Sequence, residues 1–531
     1  MSVARAPMNT MTDATPRSAA TPQVVAVIDV GTTALRMTVA EISEGPHVRI
    51  LANLSQPVAL GRDTFTRGSI EKSTIEECVR VLRSYRRILH EHHVTRPEEI
   101  RCVATSAVRE AQNRLAFLDR IYAATGFAIT TLDEAEVNRI TYHGVQPLLR
   151  AETQLQGRNI VIAEVGGGST EVLLVRDADV LFAHTYRLGS LRLREMLEVY
   201  RAPLTSFRRV LETHIQRILD SVLQQPMFRD VQDVIGLGGD LRFASKQIDP
   251  ERAHERLIEL PLSRLESFAD QILGMNEDKL VHRYHLPYAD AATLGPALLA
   301  YVYLCRALKV ERLLVGHVNL RDGVLMEMAT RGAWSDDFIQ QVIRSGLECA
   351  SKFKVDEPHA RHVMKLCRIL FQGLREEHRL EQRYEVLLSL AALLHEIGLY
   401  VSTGSYHKHT MYLINNSELF GLSRNDVMLV ALVARYHRKS SPKPTHPGYS
   451  TLDRDQRIAV CKLAALLRVA DALDATHHQR IHELRMTREA GRLILSIPHV
   501  DDLSLEQLAL KQSGSLFEET YGMPVLLRRL H

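Results

Sequence analysis

The sequence predicts an α/β protein in which two similar lobes precede an all-α domain and a small α/β C-terminal segment. Stretches 24–39 and 160–175 share one order: an apolar strand, an acidic residue, a glycine turn with hydroxyl side chains, and a returning strand. A supersecondary unit repeated in this way indicates two related lobes that face one another. After about residue 335 strand patterns give way to helical periodicity, which continues to about residue 479 and indicates a helical domain.

The predicted domain boundaries follow from these changes of pattern. Helices and strands alternate between and after the two repeated stretches, as in α/β proteins. Beyond residue 480, an alternating segment with a turn at 489–491 predicts a β-hairpin, and a helix and a strand follow it. The expected parts are a disordered tail at 1–22, a first lobe at 23–150, a second lobe at 151–332, the helical domain at 333–480 and the C-terminal segment at 481–531.

Composition sets broad limits on function. Apolar residues make up 45% and charged residues 24% of the chain, which is typical of a globular protein in water. The formal net charge of +3 gives no reason to expect specific nucleic-acid binding. No apolar run approaches the roughly 18–20 residues of a membrane span, so no membrane association is expected. The six scattered cysteines form no C-x-x-C pair, which favours core thiols in a reducing cytoplasm.

The two acid-and-glycine motifs are candidate phosphate-binding sites. Glycines allow backbone N–H groups to approach phosphate oxygens closely, and Asp29 and Glu164 are placed to bind a divalent cation. One motif alone is equally well explained as a tight hairpin, but the matching flanks of the pair favour a ligand site. The predicted phosphate contacts in these turns are Gly31, Thr32, Thr33, Gly166, Gly167, Gly168, Ser169 and Thr170.

Two further strand-to-helix turns add candidates. Ser106 and Arg109 lie in the stretch 104–110, where a helix N-terminus and a guanidinium group would act together on an anion. The alternative is a plain helix cap followed by a solvated arginine. Gly238 and Gly239 follow a third apolar strand and precede a helix, a turn that often needs glycine for its backbone geometry alone.

Together these residues resemble the exopolyphosphatase / guanosine pentaphosphate phosphohydrolase (Ppx/GppA) family, from about Val24 to the C-terminus. The most specific matches are 104–109 and the Gly-Gly-Gly-Ser-Thr-Glu run at 166–171, with support from 187–193, 236–242 and 321–323. The resemblance implies two actin/Hsp70-like (ribonuclease H-like) lobes with the substrate between them. It also implies a cytoplasmic, homodimeric hydrolase that uses Mg²⁺ or Mn²⁺ to release terminal orthophosphate from inorganic polyphosphate or guanosine pentaphosphate.

The resemblance also implies roles for individual side chains. Asp29 and Glu164 would hold the metal on the terminal phosphates, and Arg109 would neutralise the charge that builds on the transferring group. Glu136 or Glu171 would orient or deprotonate the attacking water.

Several positions depart from the family pattern. Thr33 and Ala34 stand where the family has Asn and a hydroxyl residue, and Glu164 replaces Asp. Val137 replaces one of two adjacent glutamates. If that glutamate is the base, Glu136 would have to act from an adjacent position, on the opposite face if this stretch is a strand or turned by about 100° if it is a helix, and hydrolysis would be weak or absent.

The helical domain resembles an HD-type module and carries a candidate second metal site. HD phosphohydrolases bind metals through a His, a His-Asp pair and a later Asp, and here His359, His395, Glu396 and Asp471 occur in that order. Glu396 breaks the His-Asp pair, and a lone histidine is more often a packing residue. His407, His409 and His437 could add ligands or line an anion path. Four basic residues could extend the path for a long polyanion, or they could simply form a solvated loop: Arg435, Arg438, Lys439 and Lys443.

Two other functions remain open at this stage. A degenerate protein that binds polyphosphate or alarmone and regulates a partner is favoured by Val137 and Ala34. A kinase or ATPase of the same fold would need an adenosine pocket.

Overall fold

The computed structural model describes residues 22–43, 47–199, 204–223, 226–330, 334–438 and 440–530. Nearly all of the predicted N-terminal tail, and Lys439 of the predicted basic cluster, lie outside the described residues. The described chain contains two mixed sheets, a small third sheet, and a helical region between them and the C-terminus. The predicted α/β architecture with a following helical region is therefore confirmed.

The first sheet has the strand order β3-β2-β1-β4-β5, with β1 at its centre. Strand β1 is antiparallel to β2 and parallel to β4. Alternate residues of β1 enter two different cores: Ile28 belongs to one and Val27 to the other, which explains why the strand is apolar on both faces. The bounds are β1 (Gln23–Val30), β2 (Ala34–Ile42), β3 (Val48–Pro57), β4 (Ile100–Ala104), β5 (Ile129–Thr131), α1 (Leu60–Arg67), α2 (Lys72–Glu91), α3 (Ser106–Glu110), α4 (Arg114–Thr125) and α5 (Glu134–Ala151).

The second sheet repeats this topology and adds one strand at its edge. Its order is β10-β11-β9-β6-β7-β8, and its central strand β6 is antiparallel to β7 and parallel to β9. The repeat predicted from the two acid-and-glycine motifs is thus visible as two sheets with equivalent centres. The bounds are β6 (Ile160–Val165), β7 (Thr170–Arg176), β8 (Asp179–Tyr186), β9 (Asp233–Leu237), β10 (Leu257–Pro261), β11 (Arg312–Gly316), α6 (Ser190–Val199), α7 (Leu204–Leu223), α8 (Gly239–Ile248), α9 (Leu262–Leu273), α10 (Glu277–Tyr284), α11 (Tyr288–Leu308) and α12 (Leu320–Ala329).

Helix α12 follows the last strand of the second sheet but packs against the first. Its Val324 and Leu325 share a core with Val27 of β1 and Ile140 of α5. The close fit is visible at Gly323, where any Cβ would overlap the backbone of Ile140. By packing, the end of the predicted second lobe therefore belongs with the first.

Helix α11 is the one helix of the described chain that is long and apolar enough to span a membrane. Its mean hydropathy is 1.4, but 83% of the apolar window is buried inside the protein. Leu298 and Tyr301 lie in the core of the second lobe, and neither is more than 1% exposed. This burial identifies α11 as a core helix.

The helical region packs directly on the second sheet, and the C-terminal segment packs on the helical region. Phe338 and Phe420 meet Tyr142 of α5 in one continuous core that reaches Ile162. The predicted hairpin is present, with Ala490 and Gly491 at its turn, but two helices precede the final strand where one was predicted. The bounds are α13 (Asp336–Lys352), α14 (Glu357–Gly373), α15 (Arg375–His378), α16 (Arg383–Leu394), α17 (Tyr406–Asn415), α18 (Arg424–Arg435), α19 (Arg454–Leu473), β12 (Arg485–Glu489), β13 (Arg492–Pro498), α20 (Ser504–Ser513), α21 (Ser515–Tyr521) and β14 (Val525–Leu530); five short 3₁₀ helices are Pro97–Glu99, Thr153–Leu155, Pro226–Phe228, Ile397–Tyr400 and Tyr449–Thr451.

Candidate active site

A cavity of about 290 Å³ lies where the two lobes face one another. Asp29, from the end of β1, and Glu164, from the end of β6, both line it. The cavity thus brings together the two motifs that the sequence marked as related. The other predicted site residues that line it are Gly31, Thr32, Thr33, Ser106, Arg109, Gly166, Gly167, Gly168, Ser169, Glu171, Gly238 and Gly239.

Two predicted site residues are placed elsewhere. The hydroxyl of Thr170 donates to the carbonyl oxygen of Leu188, so it braces the chain that follows the loop and does not line the cavity. Glu136 also lies outside the cavity lining. The prediction of direct phosphate contact is therefore corrected for Thr170, and that of water activation for Glu136.

The reason for the Glu136 correction is the start of helix α5. Asp133 caps this helix, accepting from the Glu136 backbone N–H at 2.9 Å, and the Glu136 carboxylate accepts from the Asp133 N–H at 2.8 Å. This reciprocal capping box holds the carboxylate against the helix terminus. The next residue, Val137, is turned about 100° around the helix and lines the cavity instead.

The β6–β7 loop is held by its carbonyl groups. The oxygens of Gly166 and Gly167 accept from backbone N–H groups at the start of α6, at 2.9 and 3.0 Å, and Arg192 Nε donates to the Gly168 oxygen at 2.8 Å. The N–H groups of Gly167 and Gly168 have no protein acceptor within the described chain. Backbone donors therefore remain available at the cavity for an anionic ligand.

The glycines of this loop are required by contact between the lobes. A Cβ on Gly168 would overlap Ser106 and lie 2.7 Å from the ring of Phe65, both in the first lobe. A Cβ on Gly167 would lie 3.0 Å from the side chain of Thr32. From the sequence we expected a Cβ in this loop to collide with the ligand. In the structure, a Cβ on Gly167 or Gly168 would first force the two lobes apart.

The cavity carboxylates are held in a site that favours their neutral form. Burial raises the pKa of Asp29, although the guanidinium of Arg321, 3.6 Å away, acts against it. Burial raises the pKa of Glu164 to about 7, and the nearby carboxylate of Glu171 adds to the rise. A divalent cation would relieve this repulsion, so the donor set fits a bound metal.

The protein side chains would supply only part of the ligands of such a metal. Within the described residues, Asp29 and Glu164 do not join a third acidic or histidine side chain in a compact set of ligand atoms. Mg²⁺ in proteins is often bound in this way, through one or two carboxylates with water and substrate phosphates.

Glu171 is a third cavity carboxylate with a chemical role available to it. Its Oε1 accepts from the hydroxyl of Ser169 at 2.7 Å. Burial raises its pKa, while the Ser169 hydroxyl and the charge of Arg109 partly offset the rise. Arg109 is fixed by donation to the Leu132 carbonyl at 2.9 Å and lies 3.9 Å from Glu134.

Five charged residues to which sequence reasoning gave no role also line the cavity: Arg36, Asp240, Arg242, Asp290 and Arg321. With Arg109, four guanidinium groups face the same space, which suits a polyanion. Arg36 could have been found, because it is the cross-strand partner of Asp29 in the predicted hairpin. Arg321 could not, because helix α12 reaches the first lobe through long-range packing.

A second cluster forms in the helical region. His359, His395 and Asp471 bring their ligand atoms within 4.8 Å of one another, and Glu396 forms a similar group with His359 and His477. His437, a candidate for a further ligand or for an anion path, is engaged elsewhere. Its Nδ1 donates to the Ala434 carbonyl oxygen, and its Nε2 accepts from the Tyr406 hydroxyl at 2.9 Å.

Comparison with known proteins agrees with this geometry. The sequence pattern of the Ppx/GppA phosphatase family matches residues 38–332, and that of domain III of Ppx/GppA phosphatases matches residues 343–514. A guanosine-5'-triphosphate,3'-diphosphate pyrophosphatase from Photobacterium profundum is 22% identical over 507 residues, which are 94% of this chain and 97% of that protein. A protein of the same name from Aliivibrio fischeri is 23% identical, over 85% of this chain and 88% of that one.

Solved structures show the same fold. An exopolyphosphatase from Cytophaga hutchinsonii superposes with a TM-score of 0.53 at 19% identity, covering 59% of this chain and 100% of that chain. Because the family pattern spans more than half of the sequence and the paired motifs meet in one cavity, this chain belongs to the Ppx/GppA phosphatase family.

Proposed function

We propose that this phosphoanhydride hydrolase releases terminal orthophosphate from inorganic polyphosphate or guanosine pentaphosphate, with Mg²⁺ or Mn²⁺ as its metal. One observation carries the proposal: Asp29 and Glu164, from opposite lobes, line a single cavity with four arginine side chains. A chain of phosphates can bind a carboxylate-held divalent cation and several guanidinium groups at the same time.

The cavity groups of this paragraph divide between metal binding and phosphate binding. Asp29 and Glu164 would hold the metal, which supplies charge neutralisation on the terminal phosphates when bound. The N–H groups of Gly167 and Gly168 and the guanidinium of Arg109 would bind the oxygens of the phosphoryl group that is transferred.

Water activation is assigned to Glu171. It lines the cavity, whereas Glu136 caps a helix, and its pKa is raised by burial, which makes the carboxylate a better proton acceptor. The hydroxyl of Ser169 fixes one carboxylate oxygen, so the other is free to accept a proton from water.

The alternative is a binding protein with little or no turnover. Val137 favours it, because this side chain occupies the cavity wall at the position where the family resemblance expects a glutamate. Such a protein would bind polyphosphate or the alarmone tightly and release no phosphate.

One assay tests both proposals. Phosphate release is measured from long-chain polyphosphate and from guanosine pentaphosphate, with Mg²⁺ or Mn²⁺ and with a chelator, beside a binding titration of each substrate. Metal-dependent release from either one supports hydrolysis, and the ratio of kcat/KM values identifies the preferred substrate. Tight binding without release at any metal concentration supports the regulatory alternative. Release that is unaffected by Asp29→Asn would contradict the assigned site.

A further inference from the structure

One carboxylate at the edge of the first lobe accepts hydrogen bonds from the starts of two helices. Asp133 accepts through Oδ1 from the Glu136 N–H of α5 at 2.9 Å, and through Oδ2 from the Arg424 N–H at 2.7 Å. Arg424 is the first residue of α18, in the helical region. Because a helix N-terminus carries partial positive charge, both helices favour a carboxylate between them. Asp133 therefore joins a helix of the first lobe to a helix of the helical region.

Helix α18 gains from this contact an acceptor that its own cap does not supply. Ser423 accepts from the Asp426 N–H at 3.1 Å, and the Asp426 carboxylate accepts from the Ser423 N–H at 3.4 Å. This capping box does not use the Arg424 N–H, which is one of the N–H groups at a helix start with no acceptor in the helix. The same two segments also meet at Tyr142 of α5 and Phe420, whose ring centroids are 5.6 Å apart. The contact at Asp133 is thus part of a longer interface.

The cap of α5 is linked to Arg109 through a single peptide group. The N–H of Asp133 donates to the Glu136 carboxylate at 2.8 Å. The C=O of the same peptide group belongs to Leu132 and accepts from Arg109 Nη1 at 2.9 Å. Because a peptide group is planar, fixing its N–H also fixes the direction of its C=O. Glu134 lies 3.9 Å from Arg109, so the groups that hold this guanidinium stand on both sides of Asp133 in the chain.

We infer that Asp133 is a positioning residue for Arg109, and that the helical region holds Asp133 in place through the N–H of Arg424. This role depends on the proposed function, in which Arg109 binds oxygens of the transferred phosphoryl group. Misplacing such a group by about 1 Å can lower a rate about 100-fold. The Arg424 side chain is 81% exposed and lies 3.3 Å from Glu134, so this ion pair contributes little and the backbone N–H is the main contact.

Three substitutions separate this contact from ordinary helix capping. Asp133→Ser keeps a Ser-x-x-Glu capping box on α5, but offers one side-chain oxygen where aspartate offers two. Arg424→Pro removes the donated N–H. Proline suits the first position of a helix, and Ser423 before it already has a ψ of 159°, which proline requires of its predecessor. Arg424→Ala is the matched control, because it removes the exposed side chain and keeps the N–H.

Two quantities are measured: kcat for phosphate release from long-chain polyphosphate and guanosine pentaphosphate, and the Kd of inorganic triphosphate with a chelator present. Asp133→Ser and Arg424→Pro should each lower kcat and triphosphate affinity about 5- to 10-fold, whereas Arg424→Ala should stay within about twofold of the parent. In an Arg109→Ala background, Asp133→Ser should cost no more than about a further twofold, because the side chain that it positions is gone. Circular dichroism and urea midpoints show whether each variant folds; if Arg424→Pro does not, Asp133→Ser decides.

Parent-like kcat and Kd in Asp133→Ser and Arg424→Pro would overturn the inference. So would an Asp133→Ser loss that is as large without Arg109 as with it, since that is the result of a purely structural role. A loss in Arg424→Ala equal to that in Arg424→Pro would also contradict it, because the alanine variant keeps the N–H. A parent that binds triphosphate but releases no phosphate contradicts the proposed hydrolysis alone, and the Kd values then decide. A parent that does neither contradicts both.

Discussion

The assignment of water activation can be tested by two substitutions that remove the same charge at neighbouring places in the structure. Glu171→Gln changes a carboxylate that lines the cavity and accepts from Ser169. Glu136→Gln changes a carboxylate that accepts from the Asp133 N–H at a helix terminus. The two variants differ in whether the lost carboxylate faces the cavity.

The expected effects differ by orders of magnitude. A positioned general base contributes about 10²- to 10⁴-fold, so Glu171→Gln should lower kcat by that factor, equivalent to about 3–5 kcal/mol in activation free energy. Gln serves as well as Glu in a capping box, so Glu136→Gln should keep the helix start. We expect its kcat within about twofold of the parent and its free energy of unfolding within about 0.5 kcal/mol.

The assay is initial-rate phosphate release at saturating substrate and metal, with circular dichroism to show that both variants fold. Because burial raises the pKa of Glu171, the parent rate should fall with decreasing pH at a higher pH than for an exposed glutamate. The reverse order, with turnover lost in Glu136→Gln and kept in Glu171→Gln, would refute the reasoning from the cavity lining.

Three further results are expected. Val137→Glu places a carboxylate on the cavity wall and should raise the rate of phosphate release at least about tenfold, whereas Val137→Gln should not. The pKa of Glu164 is about 7 in the folded chain, against the ordinary glutamate value of 4.5 that applies when the chain is unfolded. The folded chain retains this proton while the unfolded chain loses it, so the free energy of unfolding should fall as pH rises from 4.5 to 7. In urea unfolding without metal, Glu164→Gln should therefore be more stable than the parent by about 1–3 kcal/mol at pH 8 and equally stable below pH 4.5. Gly168→Ala should lower kcat about 100-fold, because its Cβ overlaps Ser106 and displaces the loop; parent-like rates would contradict this contact.

The local parts of the site could be predicted because each is encoded in one short segment. An apolar strand, an acid and a glycine turn are consecutive in sequence, and repetition of the unit implied that Asp29 and Glu164 would meet. The hairpin at the C-terminus was predictable for the same reason. The strand register also places Arg36 opposite Asp29, so this arginine was within reach of the same reasoning.

The remaining parts depend on which way a side chain turns or on contacts between distant segments. Whether Glu136 or Val137 faces the cavity depends on where helix α5 begins, and the start is fixed by the Asp133 cap. Arg321 reaches Asp29 only because α12 crosses to the first lobe. The Asp133–Glu136 capping box is a local signal that could have placed the start of α5, whereas the crossing of α12 has no local signal in a single sequence.

The size of the cavity matches the part that the two candidate substrates have in common. At about 290 Å³ it is just below the roughly 300–1,000 Å³ typical of small-molecule pockets, and charged groups and glycines dominate its lining. Its charges suit the terminal phosphates, which polyphosphate and guanosine pentaphosphate have in common. Gly168 packs against Ser106 across the lobes, so the lobes cannot approach further at this point. If both are substrates, we expect discrimination between them to come from residues beyond the cavity, and substitutions inside the cavity to change kcat for both in parallel.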